Sequence, residues 1–407
     1  MSGILFLAHR LPFPPDRGDK IRSHHVLKAL ARIAPVHVGC FGETIADMAA
    51  ELELAEIAES HCMPMRDKPL PLAGIEALVR REPVSLAAFR HPALSGWIMR
   101  TLARHAIDTI YVFSGQMGQY VPESWSGRLV VDLVDVDSAK FAAYADEAGG
   151  PVGWIHAREE RLLAAEEARL AARADHTLLI SEAEAALFTS RLPPESRANI
   201  SVLGNGIDSR MFDPAGVAPH PVLTEPGPHI VFTGQMDYPP NVEAALRTAE
   251  RLMPLIRTVH STAQFHIVGR APAPELTALE GRNGARVWGE VPDVKPFLAG
   301  ADLVLAPLTI ARGVQNKVLE AMAMALPVVL TPAAAAGIPG TDGIHFAIAE
   351  TDEALAERAL ALLSDELAAL TLGQAARRFV VEEMSWSAML APLPGFLGRA
   401  KERCDAA

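Results

Sequence analysis

The sequence has few cysteines, no excess of positive charge and no long hydrophobic run. Its 407 residues include three widely spaced cysteines, which form neither a disulfide framework nor a metal-ligand pattern. A net charge of −12 argues against broad nucleic-acid binding, so we expect no nucleic-acid partner. The sequence contains no uninterrupted run of about 18 apolar residues, so it predicts no membrane-spanning helix. The first residues lack a basic region and a small-residue cleavage site, so we expect a cytoplasmic protein without a secretory leader.

Two common nucleotide-binding signatures are also missing. The loop after the first predicted strand is not G-x-G-x-x-G, which argues against a nicotinamide or flavin site. No G-x-x-x-x-G-K-[ST] segment marks a P-loop. We therefore expect no bound cofactor.

The chain instead shows a regular alternation of short β-rich runs and longer helical stretches. This rhythm predicts an α/β protein with parallel sheets covered by helices on both faces. The predicted strands lie near Ile4–Ala8, Val36–Phe41, Thr109–Ser114, Arg128–Val134, His176–Ser181, Asn199–Leu203, His229–Thr233, Gln264–Val268, Ala285–Trp288, Asp302–Ala306, Pro327–Thr331 and His345–Ile348.

The length suits two domains of roughly 200 residues each. A stretch rich in proline and glycine, without periodicity, separates two halves that share the same rhythm. We predict a first domain over residues 1–213, a linker over 214–228 and a second domain over 229–384.

Ligands of such folds bind outside the carboxyl ends of the strands, so the loops after strands are candidate sites. In the first half, Gly18 would let the backbone approach a phosphate or sugar, with Arg22 among the cations nearby. The alternative is a solvated basic loop. Asp135 and Asp137 follow another strand and are candidates for binding sugar hydroxyls or accepting a proton, or for capping the next helix.

In the second half, a glycine follows three successive predicted strands. These are Gly234, Gly269 with Arg270 beside it, and Gly289. Helices that begin after such turns present their N-termini, which favour anions. We therefore expect an anionic ligand at this edge.

The segment ARGVQNKVLEAMAMALPVV contains the strongest site signal. Gly313 allows a close turn, and the backbone N–H groups of Val314 and Gln315 are placed to point at an anion. Lys317 adds positive charge, and Glu320 can accept two hydroxyls of a ribose or sugar. A diphosphate with a sugar at each end would use all of these groups. The alternative is an ordinary helix start with a surface ion pair.

Four segments together resemble one known family: HRLPFPPDRGDKIRSHHVLKAL, DVDSAKF, TGQMDYPPNVEA and GVQNKVLEAMAMALPVV. They are similar to family-4-type retaining glycosyltransferases, and in particular to sugar transferases associated with bacterial exopolysaccharide and PEP-CTERM (exosortase) loci. The resemblance implies the GT-B architecture, two Rossmann-like domains that face a central cleft. It also implies that the C-terminal segment, residues 385–407, packs on the first domain.

The resemblance implies a nucleotide-diphosphate sugar donor, a glycan or lipid-linked glycan acceptor, transfer of a hexosyl group with retention, and no metal. It assigns the donor ribose to Glu320 and the diphosphate to Gly313 and Val314. It places Gly18 near the donor phosphates as well. The nucleobase would lie at Gly289 and Val291.

The sequence departs from the family pattern at two places. Arg312 stands where the first glutamate of the E-x7-E motif is expected, and an arginine and a lysine are missing after the first strand of the second domain. Arg312, Lys317 or Arg270 would supply the positive charge instead. We take Arg312, Lys317, Asp135 and Asp137 as the catalytic candidates. A sugar-nucleotide epimerase and a catalytically silent nucleotide-sugar-binding partner stay open as alternatives.

Residues 74–105 carry more arginines than acids and several apolar side chains, among them Leu78, Val79 and Trp97. Such a patch predicts contact with an anionic membrane at the inner leaflet, with Trp97 in the interface. The alternative is a pair of helices packed on the first sheet with solvated arginines.

Overall fold

Parallel strands covered by helices form two separate units in the computed structural model, which describes residues 2–311 and 313–399. The first unit comprises residues 2–205 together with 390–399, and the second comprises residues 206–389. Each unit contains one parallel sheet with its own buried apolar core.

The first sheet has seven parallel strands in the order β3-β2-β1-β4-β5-β6-β7. They are β1 (Gly3–Ala8), β2 (Val36–Gly39), β3 (Ser60–Cys62), β4 (Ile107–Phe113), β5 (Arg128–Val134), β6 (His176–Leu179) and β7 (Ile200–Val202). Strand β1 is buried along its whole length, as expected for a central strand with helices on both faces.

Within the described residues, nine helices of the first unit lie between Gly18 and Arg191, and a tenth lies in the C-terminal segment. The nine are α1 (Gly18–Ile33), α2 (Ile45–Ala49), α3 (Glu51–Ala55), α4 (Leu70–Arg80), α5 (Val84–Ala88), α6 (Pro92–Arg104), α7 (Asp137–Glu147), α8 (Gly150–Arg173) and α9 (Glu182–Arg191). A 3-10 turn covers Gly115–Tyr120.

The second sheet has six parallel strands in the order β10-β9-β8-β11-β12-β13. They are β8 (His229–Thr233), β9 (Gln264–Val268), β10 (Ala285–Gly289), β11 (Leu303–Ala306), β12 (Val328–Leu330) and β13 (Ala347–Ile348). The strand order reverses between β8 and β11, and ligands of open α/β sheets bind outside the carboxyl ends at such a switch point.

The helices of the second unit include several single-turn elements. The helices are α10 (Pro239–Arg247), α11 (Met253–Arg257), α12 (Pro274–Thr277), α13 (Lys295–Ala299), α14 (Asn316–Ala323), α15 (Pro332–Ala335), α16 (Asp352–Ser364), α17 (Glu366–Phe379) and α18 (Trp386–Met389). Short 3-10 turns cover Pro214–Gly216, Pro221–Thr224 and Arg282–Gly284, and π-helical turns cover Thr248–Leu252 and Val380–Met384.

The predicted fold of two parallel-sheet α/β domains is confirmed, and every strand predicted from the sequence overlaps a strand of the structure. Strand β3 is present in the structure but was not predicted from the sequence. None of the described helices combines the length and apolar character needed to span a bilayer.

The structure divides the chain earlier than the proline-rich composition indicates. The change of unit falls between residues 205 and 206, and the stretch predicted as a linker packs on the second unit. There Leu223 is buried, and the His220 ring stacks on Phe297 with 4.5 Å between centroids. Proline and glycine here shape a packed surface segment, so their abundance does not mark a flexible connection.

The C-terminal segment joins the first unit from residue 390 onward. Helix α19 (Leu393–Phe396) buries Leu393, and Nη1 of Arg128 donates to the Phe396 carbonyl at 3.3 Å. Ser385 and Trp386, which precede this segment, belong to the second unit, where the Trp386 N–H donates to the Ile207 carbonyl.

Candidate functional site

A cavity of about 500 Å³ opens at the carboxyl edge of the second sheet. Its lining comes from the segments that follow four adjacent strands, β8, β9, β10 and β11. The lining residues are Thr233, Gly234, Gln235, Asn241, Val268, Gly269, Arg270, Glu290, Val291, Val294, Val314, Asn316, Lys317 and Glu320. The cavity therefore lies at the switch point of this sheet.

Two glycines keep the floor of this cavity open. Gly234 and Gly269 both have a φ of +156°, and a methyl group on Gly269 would lie 1.6 Å from the Gly234 carbonyl oxygen. The two backbone segments thus touch directly after β8 and β9. Any side chain at Gly269 would clash with the Gly234 carbonyl and force the two segments apart.

Helix α14 brings the charged residues to the cavity. Val318, Leu319 and Met322 form its buried face, and a left-handed turn at Ala325 ends it before β12. Arg377 holds the far end of the helix, since its guanidinium donates to the Ala323 carbonyl. The near end has no side-chain cap, and no described acceptor receives the N–H groups of its first two residues. Such an end attracts anions.

Lys317 points its ammonium back toward the end of β8. Nζ donates a hydrogen bond to Oδ1 of Asn241 and lies 4.9 Å from the centroid of the Phe232 ring. Among the described residues, no carboxylate lies within ion-pair distance of this ammonium. Burial lowers the pKa of Lys317 to about 8, and the charge of Glu320 opposes this shift only in part.

Glu320 lies one turn further along the same helix. No donor in the described part of the chain forms a hydrogen bond with its carboxylate, although the residue is half-buried. Burial raises the pKa of Glu320 to about 7 despite the nearby Lys317. A carboxylate that is partly removed from water and has no donors is less favourable than a solvated one, and ligand hydroxyls would relieve that cost.

The cavity brings together most of the donor-binding residues predicted in the second half. Gly234, Arg270, Val291 and Val314 line it along with Lys317 and Glu320. Gly289 ends β10 beside this lining with a φ of +66°, and Gly313 has the same φ before α14. Gln315 is the N-cap position of α14, and its Nε2 donates to the Gly313 carbonyl at 3.1 Å. Arg312, predicted to be catalytic, lies outside the described residues.

The donor-binding candidates of the first half lie in the first unit. Arg22 is 1% exposed, and its guanidinium binds both carboxylate oxygens of Asp132 at 3.0 Å and Asn205 at 2.9 Å. Tyr111 completes this network by donating to Asp132 at 2.8 Å. Arg22 is thus engaged within the core, whereas Gly18 is exposed at the start of α1 with open space around it.

Asp135 and Asp137 are joined by one lysine. Nζ of Lys140 lies 3.0 Å from Asp135 and 3.1 Å from Asp137. Both carboxylates are partly exposed and line a small depression of the first unit with Glu166 and Glu167. Their catalytic role stays a prediction.

The predicted membrane patch contains both buried and exposed side chains. Trp97 is half-buried, and a methyl group on Gly39 of β2 would lie 3.4 Å from its ring. Leu86, Phe89 and Ile98 are buried as well. Most of the exposed apolar side chains come from α4, where Leu70, Leu72, Ile75, Leu78 and Val79 are each more than half exposed, and Met99 of α6 is 57% exposed.

Two features of the second unit were not found from the sequence. One is Asn241 as the partner of Lys317. The other is a buried chain in which Trp288 donates to His266 at 3.1 Å and His266 bonds His229 at 3.0 Å. The chain ends where His229 bonds the carbonyl of Glu225 at 2.9 Å. No local motif signals either feature, because the partners are far apart in sequence.

Residues 227–365 match the sequence model of the family described as Glycosyl transferases group 1. The matched region contains the second sheet and the cavity described above. No curated protein matches this chain.

Solved structures share the fold across nearly the whole chain. Sucrose-phosphate synthase of Thermosynechococcus elongatus is 16% identical, with a TM-score of 0.61 and coverage of 98% of each chain. HepE of Anabaena, solved in complex with UDP-glucose, is 17% identical with a TM-score of 0.60, covering 98% of this chain and 100% of its own. WaaG, a glycosyltransferase involved in lipopolysaccharide biosynthesis, is 18% identical with a TM-score of 0.58, covering 97% and 100%. The chain thus has the two-domain fold of GT-B glycosyltransferases.

Proposed function

We propose that this protein is a retaining, metal-independent glycosyltransferase. It takes a hexosyl group from a nucleotide-diphosphate sugar held in the cavity of the second unit. It moves that group to a glycan acceptor of the exopolysaccharide type, carried on a lipid. The protein works in the cytoplasm and touches the inner leaflet of the plasma membrane.

One observation carries the proposal. A half-buried ammonium and a half-buried carboxylate, Lys317 and Glu320, face one cavity beside an uncapped helix start, and neither has an ion-pair partner among the described residues. A nucleoside diphosphate supplies the complement of both, with phosphate oxygens for the ammonium and helix end and ribose hydroxyls for the carboxylate. The match of residues 227–365 to a glycosyltransferase family and the UDP-glucose bound by HepE support this choice.

The reaction follows from the charge that develops on the leaving diphosphate. Lys317 and the first-turn N–H groups of α14 stabilise that charge as the bond to the sugar breaks. No side chain of the sequence stands out as a covalent nucleophile, so the acceptor hydroxyl attacks the same face through an oxocarbenium-like transition state. The bond from the anomeric carbon to the diphosphate oxygen breaks, the bond to the acceptor oxygen forms, and the hydroxyl proton passes to the leaving diphosphate. Because these groups supply the positive charge, we expect full activity in the presence of EDTA.

The proposed binding of a lipid-linked acceptor and of the membrane surface rests on a feature of the first unit. Helix α4 exposes five apolar side chains and ends at Arg80 and Arg81, which gives an apolar face with cations at one end. Such a face suits the surface of an anionic membrane. A lipid-linked acceptor would be found there, and the lipopolysaccharide role of WaaG is consistent with a lipid-carried acceptor.

The test is incubation of the purified protein with UDP-, GDP-, ADP- and dTDP-sugars and a lipid-linked glycan acceptor. We expect one donor to give a glycosylated product whose anomeric configuration by NMR matches that of the donor. An epimerised nucleotide sugar without transfer would identify an epimerase. Binding of a nucleotide sugar with neither product would identify a silent binding partner, and either outcome would contradict the proposal.

A further inference from the structure

The side chain of Asn241 is held in a single orientation. It lies in the first turn of α10 and is 5% exposed. Its Nδ2 donates to the Gln235 carbonyl at 2.8 Å, and its Oδ1 accepts from Nζ of Lys317. If the amide were reversed, its N–H groups would face the Lys317 ammonium and its oxygen would face the Gln235 carbonyl oxygen. The group that accepts a hydrogen bond from Lys317 is therefore the neutral amide oxygen of Asn241.

This hydrogen bond joins the two central strands of the sheet at the switch point. Asn241 follows β8, whereas Lys317 follows β11. A methyl group at Gly234 would lie 2.8 Å from Nδ2 of Asn241 and 3.4 Å from Nζ of Lys317. The ammonium from α14 thus reaches the end of β8, where the sequence has no cation of its own.

We propose that Asn241 is a positioning residue that holds the Lys317 ammonium toward the diphosphate of the donor without neutralising it. This inference rests on the proposed function and identifies how its cation is placed. An amide oxygen orients an ammonium and uses one of its three N–H groups, which leaves two for phosphate oxygens. A carboxylate at the same position would orient the ammonium equally well but would cancel its charge and repel the phosphates.

Other charged groups of the cavity constrain the test. Glu320 on α14, Arg270 after β9 and Glu290 after β10 line the same space. All three stay unchanged when only position 241 is varied. A difference in pH dependence between variants of Asn241 therefore reports the contact with Lys317.

The experiment uses the full chain and the variants Asn241→Ala and Asn241→Asp. The probe is whichever of UDP, GDP, ADP and dTDP binds the wild-type protein most tightly by calorimetry, measured beside its nucleoside. We expect both variants to bind the diphosphate roughly tenfold more weakly, because a hydrogen bond to a charged group is lost or the charge is compensated. Nucleoside affinity should change less than about twofold, since the proposal places the effect of Asn241 on the phosphates alone.

The pH profile separates positioning from a structural role. Diphosphate affinity falls when Lys317 loses its proton, so the alkaline limb should move to higher pH in Asn241→Asp and to lower pH in Asn241→Ala. In Lys317→Met, the limb should be absent and Asn241→Ala should add little. Asn199→Asp, on an exposed side chain of the first unit, is the matched control for an added charge and should behave as wild type.

Two results would overturn the inference alone. One is wild-type diphosphate affinity in both variants of Asn241. The other is an equal loss of diphosphate and nucleoside affinity with an unchanged alkaline limb, which would mean a merely structural role. If the wild-type protein binds none of the four diphosphates, the proposed function fails, and this inference fails with it.

Discussion

The charged side chains near the carboxyl ends of the two sheets differ in whether they have a partner of opposite charge. In the first unit, Arg22 is bound by Asp132 and Asn205 inside the core, and Lys140 bridges Asp135 and Asp137. In the second unit, Lys317 donates to the neutral Asn241 and has no carboxylate partner among the described residues, and Glu320 has no described donor. A charge after a strand is therefore a weak sign of a ligand site. A buried charge that the protein leaves uncompensated is a stronger one.

Removing a compensated charge should damage the fold. Arg22→Ala leaves the Asp132 carboxylate buried without its cation, and we expect a loss of about 3–5 kcal/mol in the unfolding free energy of the first unit. Urea denaturation of the full protein measures it. Arg32→Ala, on an exposed side chain at the end of the same helix, is the control and should change little. A small effect of Arg22→Ala would mean that the pair is not structural.

Removing an uncompensated charge should damage binding and spare the fold. Glu320→Ala deletes the proposed ribose acceptor, and we expect a loss of about 2–3 kcal/mol in donor binding because ligand hydroxyls lose their partner. The unfolding free energy should stay the same or rise, since no described group loses a hydrogen bond. Calorimetry and urea denaturation of the same preparation check both parts. Unchanged donor affinity in the folded variant would remove the assignment.

Acid should weaken the second unit through His266. Burial first, and then the neighbouring His229, lowers the pKa of His266 from its ordinary 6.5 to about 3. Below pH 6.5 the His266 imidazole therefore binds a proton in the unfolded chain but stays neutral in the folded chain. The unfolding free energy should fall by about 1.4 kcal/mol per pH unit as pH decreases below that point.

His266→Gln should flatten this acid dependence, whereas His260→Gln in the same unit should keep it. Denaturation midpoints between pH 5 and 7 are the measurement. The same slope in His266→Gln as in wild type would show that other groups cause the acid sensitivity.

The smallest expected effect concerns α4. Arg80 and Arg81 lie at the end of its exposed apolar face, and replacing both with serine should weaken cosedimentation with anionic vesicles by about 1 kcal/mol per arginine. Wild-type binding should fall as salt rises, because screening acts over about 8 Å at physiological ionic strength. Equal binding to neutral and anionic vesicles, or none to either, would leave a soluble acceptor as the better explanation.

Sequence periodicity was sufficient for the sheets and less so for their edges. Strands such as β1 and β8 are short apolar runs between turns, and burial on both faces gives them that pattern. Strand β3 has only three residues, Ser60–Cys62, all half-exposed at the sheet edge, so it leaves no such run.

The sequence predicted individual residues of the site, but it did not predict which side chains interact with them. Gly234, Lys317 and Glu320 were visible because they follow strands. The partner of Lys317, 76 residues away, was not visible, nor was the burial of Arg22 against Asp132, 110 residues away. Side-chain type and local spacing do not show which charges a fold will neutralise, because that depends on contacts between distant elements.

The most direct test of the account is a crystal structure of the protein with the nucleoside diphosphate that binds it most tightly. We predict the nucleotide in the cavity of the second unit, with the ribose hydroxyls donating to Glu320 and a phosphate oxygen accepting from Nζ of Lys317. The hydrogen bond between Asn241 and Lys317 should be retained. A nucleotide bound elsewhere, or one in this cavity that leaves Lys317 and Glu320 without a contact, would contradict the account.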